Sequence, residues 1–533
     1  MASTKAPEVK EQGLSSPELG SDLDILHGET SSEEDTKPST GILGRLIHWE
    51  EWLDQKMGVE PHGAQRITPD KKKPPKTWMM FFMWSSSGVY TLSSITTGMI
   101  PWEYGLSLTQ AILIVVFGTL VGAGVAGWCA TLGPATGLRQ VAISRYSFGW
   151  WPSKIIAILN IIEQIGWASV SCITGGQALS AVSNYSVSVV LGIVIINIVS
   201  IVLSFGGYTA IVKIENYFWI VFFVIFLVMY GEVGGKADLK TPAEVSGMTF
   251  SGNVLSCIAI FYGDGASYAS IISDYYVNYP ADISKVKVWL LTTFGIFIPV
   301  TFGILLGCLV GSTTGVDVDW ADAYDNHGVG GLILAMLYPK GFAKFLLVLL
   351  SLGGVGLNVI AIYSTALAVQ QAAKPLQRVP RFIWSLVTFA CILVLSIGGR
   401  DKIFDFLENF LSLLGYYNTA FVAILAMEHY YFRKGNLANY DLDGWNTPSK
   451  LPIGVAGLTS FLLGIVGAIL GMVETYYVGV IAKMIGDDGG DIGNELALVS
   501  AREKSASQEA VKERAMLNDN AGSRGAVSLG AIA

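Results

Sequence analysis

The feature that most constrains this chain is a series of apolar runs, each near the ~20 residues that an α-helix needs to cross the hydrocarbon core of a bilayer. Residues 112–127, 189–205 and 218–231 are three of these runs. Only 14% of the 533 residues are charged, against about 25% in a typical soluble domain. These observations predict an all-α polytopic membrane protein with its backbone hydrogen bonds satisfied inside each helix.

The apolar pattern predicts eleven membrane spans within a transporter core at residues 77–473. They are 77–100, 108–132, 154–181, 186–206, 212–231, 249–271, 286–312, 342–372, 382–398, 403–427 and 452–473. Basic residues gather in the connections on one side, whereas the connections on the other side are mainly acidic. By the positive-inside rule the N-terminus is then cytoplasmic.

Polar sequence flanks the core at both ends. Residues 1–76 are expected to form a cytoplasmic tail without a cleavable signal peptide. The tail is rich in Ser, Glu, Thr and Pro and predicted to be disordered to about residue 40, with an amphipathic helix at about 41–57. Residues 474–533 are expected to hold a partial or missing last span and a polar, disordered C-terminal tail. A twelfth span is formed only if part of 476–500 re-enters the membrane.

Two spans contain Gly and polar interruptions, at residues 83–94 in the first and 261–270 in the sixth. The second break comes five spans after the first, as in two five-helix inverted repeats, and paired breaks of this kind mark the substrate site of secondary transporters. The first break carries a serine cluster that includes Ser86, and the second carries Asp264 between Gly263 and Gly265. We expect the acid to lie at the kink itself. The alternative is that the glycines serve close helix packing.

The third span carries a second polar group. Glu163, Trp167 and Ser171 follow each other at four-residue steps and share one helix face. A ring-shaped substrate could stack on the indole while the carboxylate accepts from its N–H edge. Equally, the tryptophan could be a packing residue and the glutamate the partner of a buried Lys or Arg.

Two further polar residues are candidates. Asn358, in the eighth span, could hydrogen-bond to a substrate or to a neighbouring helix. Glu215, at the start of the fifth span, could relay a proton or be an interfacial charge.

No phosphate-binding loop, metal-ligand cluster or nucleophile–base arrangement stands out in the sequence. We therefore expect neither an enzyme nor an ATP-driven pump, no cofactor and no metal site. The expected partners are a small heterocyclic solute, a coupling ion and the lipid bilayer, not a nucleic acid.

Several segments resemble fungal purine-cytosine permeases, which belong to the nucleobase cation symporter family one. They are 58–61, 132–151, 165–179, 273–280, 415–434, 451–458 and 489–497. The resemblance implies a LeuT-like fold of five-plus-five inverted repeats with eleven or twelve membrane helices. It also implies proton-coupled uptake of nucleobases across the plasma membrane and a site lined by spans one, three, six and eight.

By position, the resemblance assigns Trp167 as the family's third-span tryptophan, Ser86 or a neighbour as its first-span serine, and Glu215 as its fifth-span acid. Other positions depart from the family pattern. Ser171 stands where an asparagine is expected, Tyr268 where a tryptophan is frequent, and Ala361 where the eighth-span asparagine is expected.

Glu163 and Asp264 are acids that the resemblance does not lead us to expect in nucleobase-specific members. Because of the departures at Ser171, Tyr268 and Ala361, the substrate alternatives include vitamin B6 and a pathway-specific metabolite. A transport-inactive sensor built on the same fold is a third interpretation.

Together with these residues, the resemblance implies an importer of purine- or cytosine-type bases, with a proton as the coupling ion in preference to sodium. Trp167 and Tyr268 would sandwich the ring. Either Glu215 or Asp264 would carry the proton, since buried carboxylates titrate closer to neutral pH. The polar side chains expected at the substrate are Ser86, Glu163, Ser171, Asp264 and Asn358.

Overall fold

The computed structural model describes residues 65–86, 91–205, 207–377 and 379–502. Residues 1–64, which hold most of the predicted N-terminal tail and the whole predicted amphipathic helix, and the tail from 503 onward lie outside the described part of the chain. The helices are α1 (Met79–Ser86), α2 (Leu92–Glu103), α3 (Leu108–Ala130), α4 (Leu132–Thr136), α5 (Gln140–Phe148), α6 (Ser153–Val182), α7 (Val189–Ser204), α8 (Gly207–Gly234), α9 (Gly247–Ala266), α10 (Lys285–Thr314), α11 (Val318–Met336), α12 (Lys340–Ala372), α13 (Lys374–Gln377), α14 (Arg381–Gly399), α15 (Ile403–Ala426), α16 (Val455–Gly471) and α17 (residues 493–502).

Each of the eleven predicted spans coincides with a helix, or with two helices in the first span. Among the described residues, six helical segments are long and apolar enough to cross a bilayer by length and composition alone. Their surfaces suit lipid, as α3 illustrates. Leu113, Phe117 and Val121 are exposed on one face of α3, whereas Gly118 and Gly122 are buried on the other. An exposed apolar stripe of this kind is stable only in contact with acyl chains or another apolar surface.

Glycines let the central helices touch through their backbones. A Cβ atom added to Gly98 of α2 would lie 2.0 Å from the carbonyl oxygen of Ile304 on α10. The reverse holds at Gly307 of α10, where a Cβ would lie 2.2 Å from the Ile95 oxygen. Small residues at such crossings are the usual means of packing helices within a membrane.

The first span is divided in two. Helix α1 ends at Ser86, and α2 begins after Thr91, whose backbone is extended (φ −112°, ψ 162°). Residues 87–90 lie outside the described part of the chain.

The sixth span also changes course. Helix α9 gives way after Ala266 to a 3₁₀ turn at Ser267–Ser270. A second 3₁₀ turn follows at Ile272–Tyr275, after Ile271 with φ −126° and ψ −15°. The interruptions therefore fall in the two predicted spans.

The expectation that Asp264 lies at the kink is wrong, because Asp264 is in regular helix just before the break. The flanking glycines are packing residues. A Cβ on Gly263 would lie 2.1 Å from the carbonyl oxygen of Leu411 on α15, and one on Gly265 would lie 2.8 Å from that of Thr119 on α3. Two neighbouring helices therefore pack against α9 on either side of the acid and support its helical geometry.

The sequence-based spans omitted helix α11, which links the seventh and eighth spans. Its first half is acidic, and it bends at Gly328, where φ is 63° and ψ is −161°. Only glycine adopts such a conformation at low cost.

The chain after the eleventh span folds back onto the core. Strands β1 (Val473–Glu474) and β2 (Tyr477–Val478) form a short antiparallel hairpin, and α17 follows. Ala497 and Ala501 of α17 are fully buried, and a Cβ on Gly467 of α16 would lie 2.6 Å from the Leu496 oxygen. The described part of 476–500 is therefore an integral part of the helical body.

Candidate functional site

The two helix breaks border a cavity of about 50 Å³. Residues from α1, α2, α6, α9 and its 3₁₀ continuation, α10 and α12 line it. They are Trp84, Ser93, Ser94, Thr97, Glu163, Gln164, Trp167, Asp264, Ser267, Tyr268, Ile271, Val300, Ile304, Leu357 and Ile360. Apolar walls with a few convergent polar groups are typical of a site for a small molecule.

An aromatic cluster packs beside the cavity. The Trp84 ring meets Tyr268 and Tyr275 edge-on, each with ring centroids 5.3 Å apart. The indole N–H of Trp84 donates to the hydroxyl of Tyr276 at 2.7 Å, and Thr292 donates to the same hydroxyl at 2.8 Å. The cluster includes the end of α1, the part of the first span that precedes its break.

Trp167 lines the cavity from α6. Its ring packs edge-on against Phe410 of α15, with centroids 5.6 Å apart. The residue is only partly buried. A fixed indole bordering the cavity provides a surface on which a planar ring could stack.

Glu163 is held in a hydrogen-bond network at the cavity wall. Its Oε2 accepts from the hydroxyl of Ser270 at 2.7 Å and from the hydroxyl of Tyr417. Asn160 in turn donates its amide to Ser270 Oγ at 2.9 Å. Glu163 is 1% exposed, and its other oxygen, Oε1, is buried without a hydrogen-bond partner.

Asp264 also lines the cavity. It is 7% exposed, and its Oδ2 is buried without a hydrogen-bond partner. Its backbone carbonyl accepts from the hydroxyl of Ser267 at 2.7 Å, which ties the last turn of α9 to the 3₁₀ segment. A buried polar atom with no partner costs free energy unless a ligand or water satisfies it.

The structure brings four of the candidate residues together at the cavity: Glu163, Trp167, Asp264 and Tyr268. The alternative for Glu163, a buried basic partner, is not what the structure shows, since hydroxyl groups hold it.

The remaining candidates have other positions. Ser171 and Asn358 are buried and are not among the cavity-lining residues. The amide of Asn358 donates to Cys172 Sγ at 3.0 Å, which fits the helix-to-helix alternative. The side chains of Ser86 and Glu215 lie outside the described part of the structure.

Sequence reasoning missed several lining residues. Thr97 of α2 follows Ser93 by four residues and Ser94 by three, a spacing that could have placed its hydroxyl beside theirs beyond the first break. Gln164 directly follows Glu163, which could have drawn attention to it. Nothing in the sequence indicates the contact of Tyr417 with Glu163, since 254 residues separate the two.

Residues 67–487 match the family described as permease for cytosine/purines, uracil, thiamine, allantoin. The purine-cytosine permease FCY2 of Saccharomyces cerevisiae is 30% identical and covers 92% of this chain and 94% of that protein. The purine-cytosine permease fcyB of Emericella nidulans is 34% identical and covers 84% of this chain and 88% of that protein. The vitamin B6 transporter TPN1 of Saccharomyces cerevisiae is 30% identical and covers 87% of this chain and 90% of that protein.

Solved structures are similar in fold. Mhp1, a nucleobase-cation-symport-1 family transporter in a closed conformation with bromovinylhydantoin bound, matches with a TM-score of 0.65 and 16% identity, over 86% of this chain and 96% of that chain. A Na⁺-coupled sialic acid symporter matches with a TM-score of 0.54 and 10% identity, over 88% of this chain and 96% of that chain. The predicted LeuT-like fold is thus confirmed.

Proposed function

The chain belongs to the family of permeases for cytosine/purines, uracil, thiamine and allantoin, and on this premise we propose that it imports purine- or cytosine-type nucleobases by proton symport. Membership makes it a multi-pass membrane transporter of small heterocycles rather than an enzyme. The choice of base and of coupling ion is the proposal.

The observation that carries the proposal is the convergence of aromatic and acidic side chains at the two helix breaks. Trp167 and Tyr268 border the same cavity as Glu163 and Asp264. A planar ring between the aromatic side chains would gain about 1–3 kcal/mol from each, by analogy with base stacking. A carboxylate oxygen that lacks a partner would then select rings with an N–H group, because an analogue without that group leaves the oxygen unpaired.

We assign the coupling proton to Asp264 or Glu215. Support for Asp264 comes from its burial at the cavity and its unpartnered Oδ2, since acids placed within a membrane are frequent proton carriers. Glu215 lies in α8, and its assignment rests on the family pattern. Sodium is the alternative ion.

Vitamin B6 is the second candidate substrate, because a relative of equal identity to FCY2 is named as a vitamin B6 transporter. The departures at Ser171 and Tyr268 are consistent with a ring other than a nucleobase. We further propose that the protein resides in the plasma membrane with residues 1–76 in the cytoplasm and a transporter core at 77–473, as its loop charges predict.

Uptake in cells tests these proposals. A strain that expresses the chain should accumulate radiolabelled cytosine, adenine, hypoxanthine or pyridoxine above background at pH 5. Absence of uptake of all four solutes, with the protein present at the cell surface, would contradict the importer. Asp264→Asn should remove the pH dependence of uptake or reduce the affinity for the solute, and wild-type behaviour would return Asp264 to a packing role.

Trp167→Ala should abolish this uptake without reducing surface protein, because the ring loses one of its two stacking surfaces. The matched control is Trp151→Ala, since Trp151 is 70% exposed and does not line the cavity. Retained transport in Trp167→Ala would remove the stacking role.

A further inference from the structure

Another cavity, of about 600 Å³, lies on the outer surface of the helical body between α3, α10 and α15. We call it the lateral groove, and it shares no lining residue with the cavity at the helix breaks. Its apolar walls are formed by Leu120, Val121, Val125, Phe294, Val422 and Ala426. Val121 belongs to the exposed apolar stripe of α3, so the groove opens toward lipid. Its volume falls within the about 300–1,000 Å³ of pockets that hold small molecules.

Two hydrogen bonds join the three helices at one end of the lateral groove. The indole N–H of Trp289 on α10 donates to the carbonyl oxygen of Gly124 on α3 at 3.0 Å. The indole N–H of Trp128 on α3 donates to the hydroxyl of Tyr430 at 2.8 Å. The groove is therefore braced by side chains rather than being a loose gap between neighbouring helices.

The braced end lies at the membrane boundary. Trp128 is two residues before the end of α3, and Trp289 is the fifth residue of α10. Tyr430 lies in the helical turn Met427–Phe432 that follows α15. Trp and Tyr side chains gather where the hydrocarbon core meets the headgroups. The loop charges predict that this is the cytoplasmic boundary.

Lys285 stands at the same end. Lys285, Trp289 and Thr293 follow each other at four-residue steps on α10, and the last two line the lateral groove. Residues at this spacing share a helix face, so Lys285 continues the lining row to the boundary. Its side chain is exposed, and it forms no ion pair with another described residue.

A second observation places Lys285 near the brace. Lys285 interacts electrostatically with His429. The ring centroid of His429 lies 6.3 Å from that of Trp128 and 5.0 Å from that of Tyr430. The ammonium group therefore lies close to the corner where α3 and the end of α15 meet.

The charges around this end are mainly basic. Residues 128–137, 281–290 and 427–436 hold more Lys and Arg than Asp and Glu: Lys285, Lys287, Arg433 and Lys434 against Asp282 and Glu428. The guanidinium of Arg433 pairs with Glu428 at 2.7 Å. The cytoplasmic leaflet of cell membranes is negatively charged, and basic pockets between membrane helices on that side suit anionic headgroups.

We propose that the lateral groove binds an anionic phospholipid of the bilayer, with an acyl chain along its apolar walls and the phosphate paired with Lys285. Such a lipid carries both features that the groove offers, an apolar chain within the membrane and a negative charge at its boundary. A neutral phospholipid would gain the apolar contacts without the net attraction to the lysine.

Two lipids with the same acyl chains test the proposal. Dioleoylphosphatidylglycerol is anionic, whereas dioleoylphosphatidylcholine has no net charge. The purified full-length protein in detergent is titrated with each lipid while its melting temperature is measured, and native mass spectrometry counts the lipids that stay bound. Phosphatidylglycerol should reach half of its maximal stabilisation at a concentration at least about fivefold lower than phosphatidylcholine. Equal stabilisation by the two lipids would overturn the proposal, since it indicates a general lipid coating.

A pair of lysine variants tests the headgroup contact. Lys285→Gln removes one exposed charge and should raise the concentration of phosphatidylglycerol needed by about fivefold, with no change for phosphatidylcholine. Lys287→Gln is the matched control, because Lys287 is also exposed but lies two residues away, on another face of α10. It should bind both lipids as the wild type does. Equal losses in the two variants, or none in Lys285→Gln, would refute the role of Lys285.

Ala426→Leu tests the site of the acyl chain. Ala426 is a partly exposed wall residue, so a larger side chain there takes up space in the lateral groove. Fewer molecules of either lipid should then stay bound. Wild-type binding of phosphatidylglycerol by Ala426→Leu would place the lipid elsewhere. A dimer that forms without lipid and is lost in Ala426→Leu would show that a second copy covers the groove, which would also overturn the proposal. The comparison of the two lysine variants decides the headgroup contact without this variant.

Discussion

Gly122 and Gly124 lie two residues apart on α3, yet alanine should have opposite effects at the two positions. A Cβ on Gly122 would lie 2.3 Å from the carbonyl oxygen of Tyr262 and 2.7 Å from the backbone nitrogen of Ala266 on α9. A Cβ on Gly124 would meet no atom within 4 Å. The contact at Gly122 adjoins Asp264 and the break that follows it, so this substitution also tests the support of the site.

The magnitudes follow from these distances. Ordinary contact begins near 3.4 Å, so α9 would have to move by about 1.1 Å to accept the methyl group of Gly122→Ala. Overpacking costs about 1–3 kcal/mol, and the upper end applies here because the clashing atoms belong to the backbone. Alanine recovers about 1 kcal/mol in helix propensity, which leaves a net destabilisation of about 2 kcal/mol. Gly124→Ala gains the propensity term alone, about 1 kcal/mol.

The assay is the melting temperature of each purified variant in the same detergent, with uptake per surface molecule measured in parallel. Gly122→Ala should melt several degrees below the wild type and lose uptake, whereas Gly124→Ala should melt at or above it with normal uptake. Equal melting temperatures for the two variants would refute the inference that backbone contact between α3 and α9 supports the site.

Three further predictions concern Tyr417, Trp84 and Lys72. Tyr417→Phe removes a donor from Glu163, so the KM for uptake should rise about tenfold with surface protein unchanged; an unaltered KM would show that this bond does not position the acid. Trp84→Phe keeps an aromatic ring but loses the N–H donated to Tyr276, worth about 1 kcal/mol, so efflux from preloaded vesicles should quicken by about fivefold. Unchanged efflux would indicate that this bond does not hold the cavity closed. Burial lowers the pKa of Lys72 from 10.5 to about 8. Between these pH values the unfolded chain binds more protons than the folded protein, so the stability of the folded protein should rise with pH. The rise should be smaller in Lys72→Met, and the same dependence of melting temperature on pH in wild type and variant from pH 8 to 10.5 would contradict the prediction.

The sequence was sufficient for the architecture because membrane spans obey local rules. A helix in lipid satisfies its own backbone, so an apolar run of the right length specifies a helix wherever it occurs. The paired breaks were also readable, since Gly and hydroxyl residues interrupt an otherwise apolar pattern in the first and sixth spans. Helix α11 was missed because its first half is too acidic to resemble a span.

The candidate site was only partly readable. Glu163, Trp167, Asp264 and Tyr268 are polar or aromatic groups in apolar surroundings, which drew attention to them, and all four border the cavity. Asn358 drew the same attention but bonds to a neighbouring helix. The sequence cannot distinguish these two outcomes, since both require a polar residue within a span.

The sequence by itself determined where the eleven long apolar segments form helices, which of them are interrupted, and which intramembrane acids need an explanation. Those features depend on the length and polarity of contiguous residues. Only the tertiary structure decided that Gly263 and Gly265 serve packing while Asp264, between them, faces a cavity. The reason is that the neighbouring helices decide whether a given side of α9 is packed or borders a cavity. Here those neighbours, α3 and α15, lie more than a hundred residues away in the sequence.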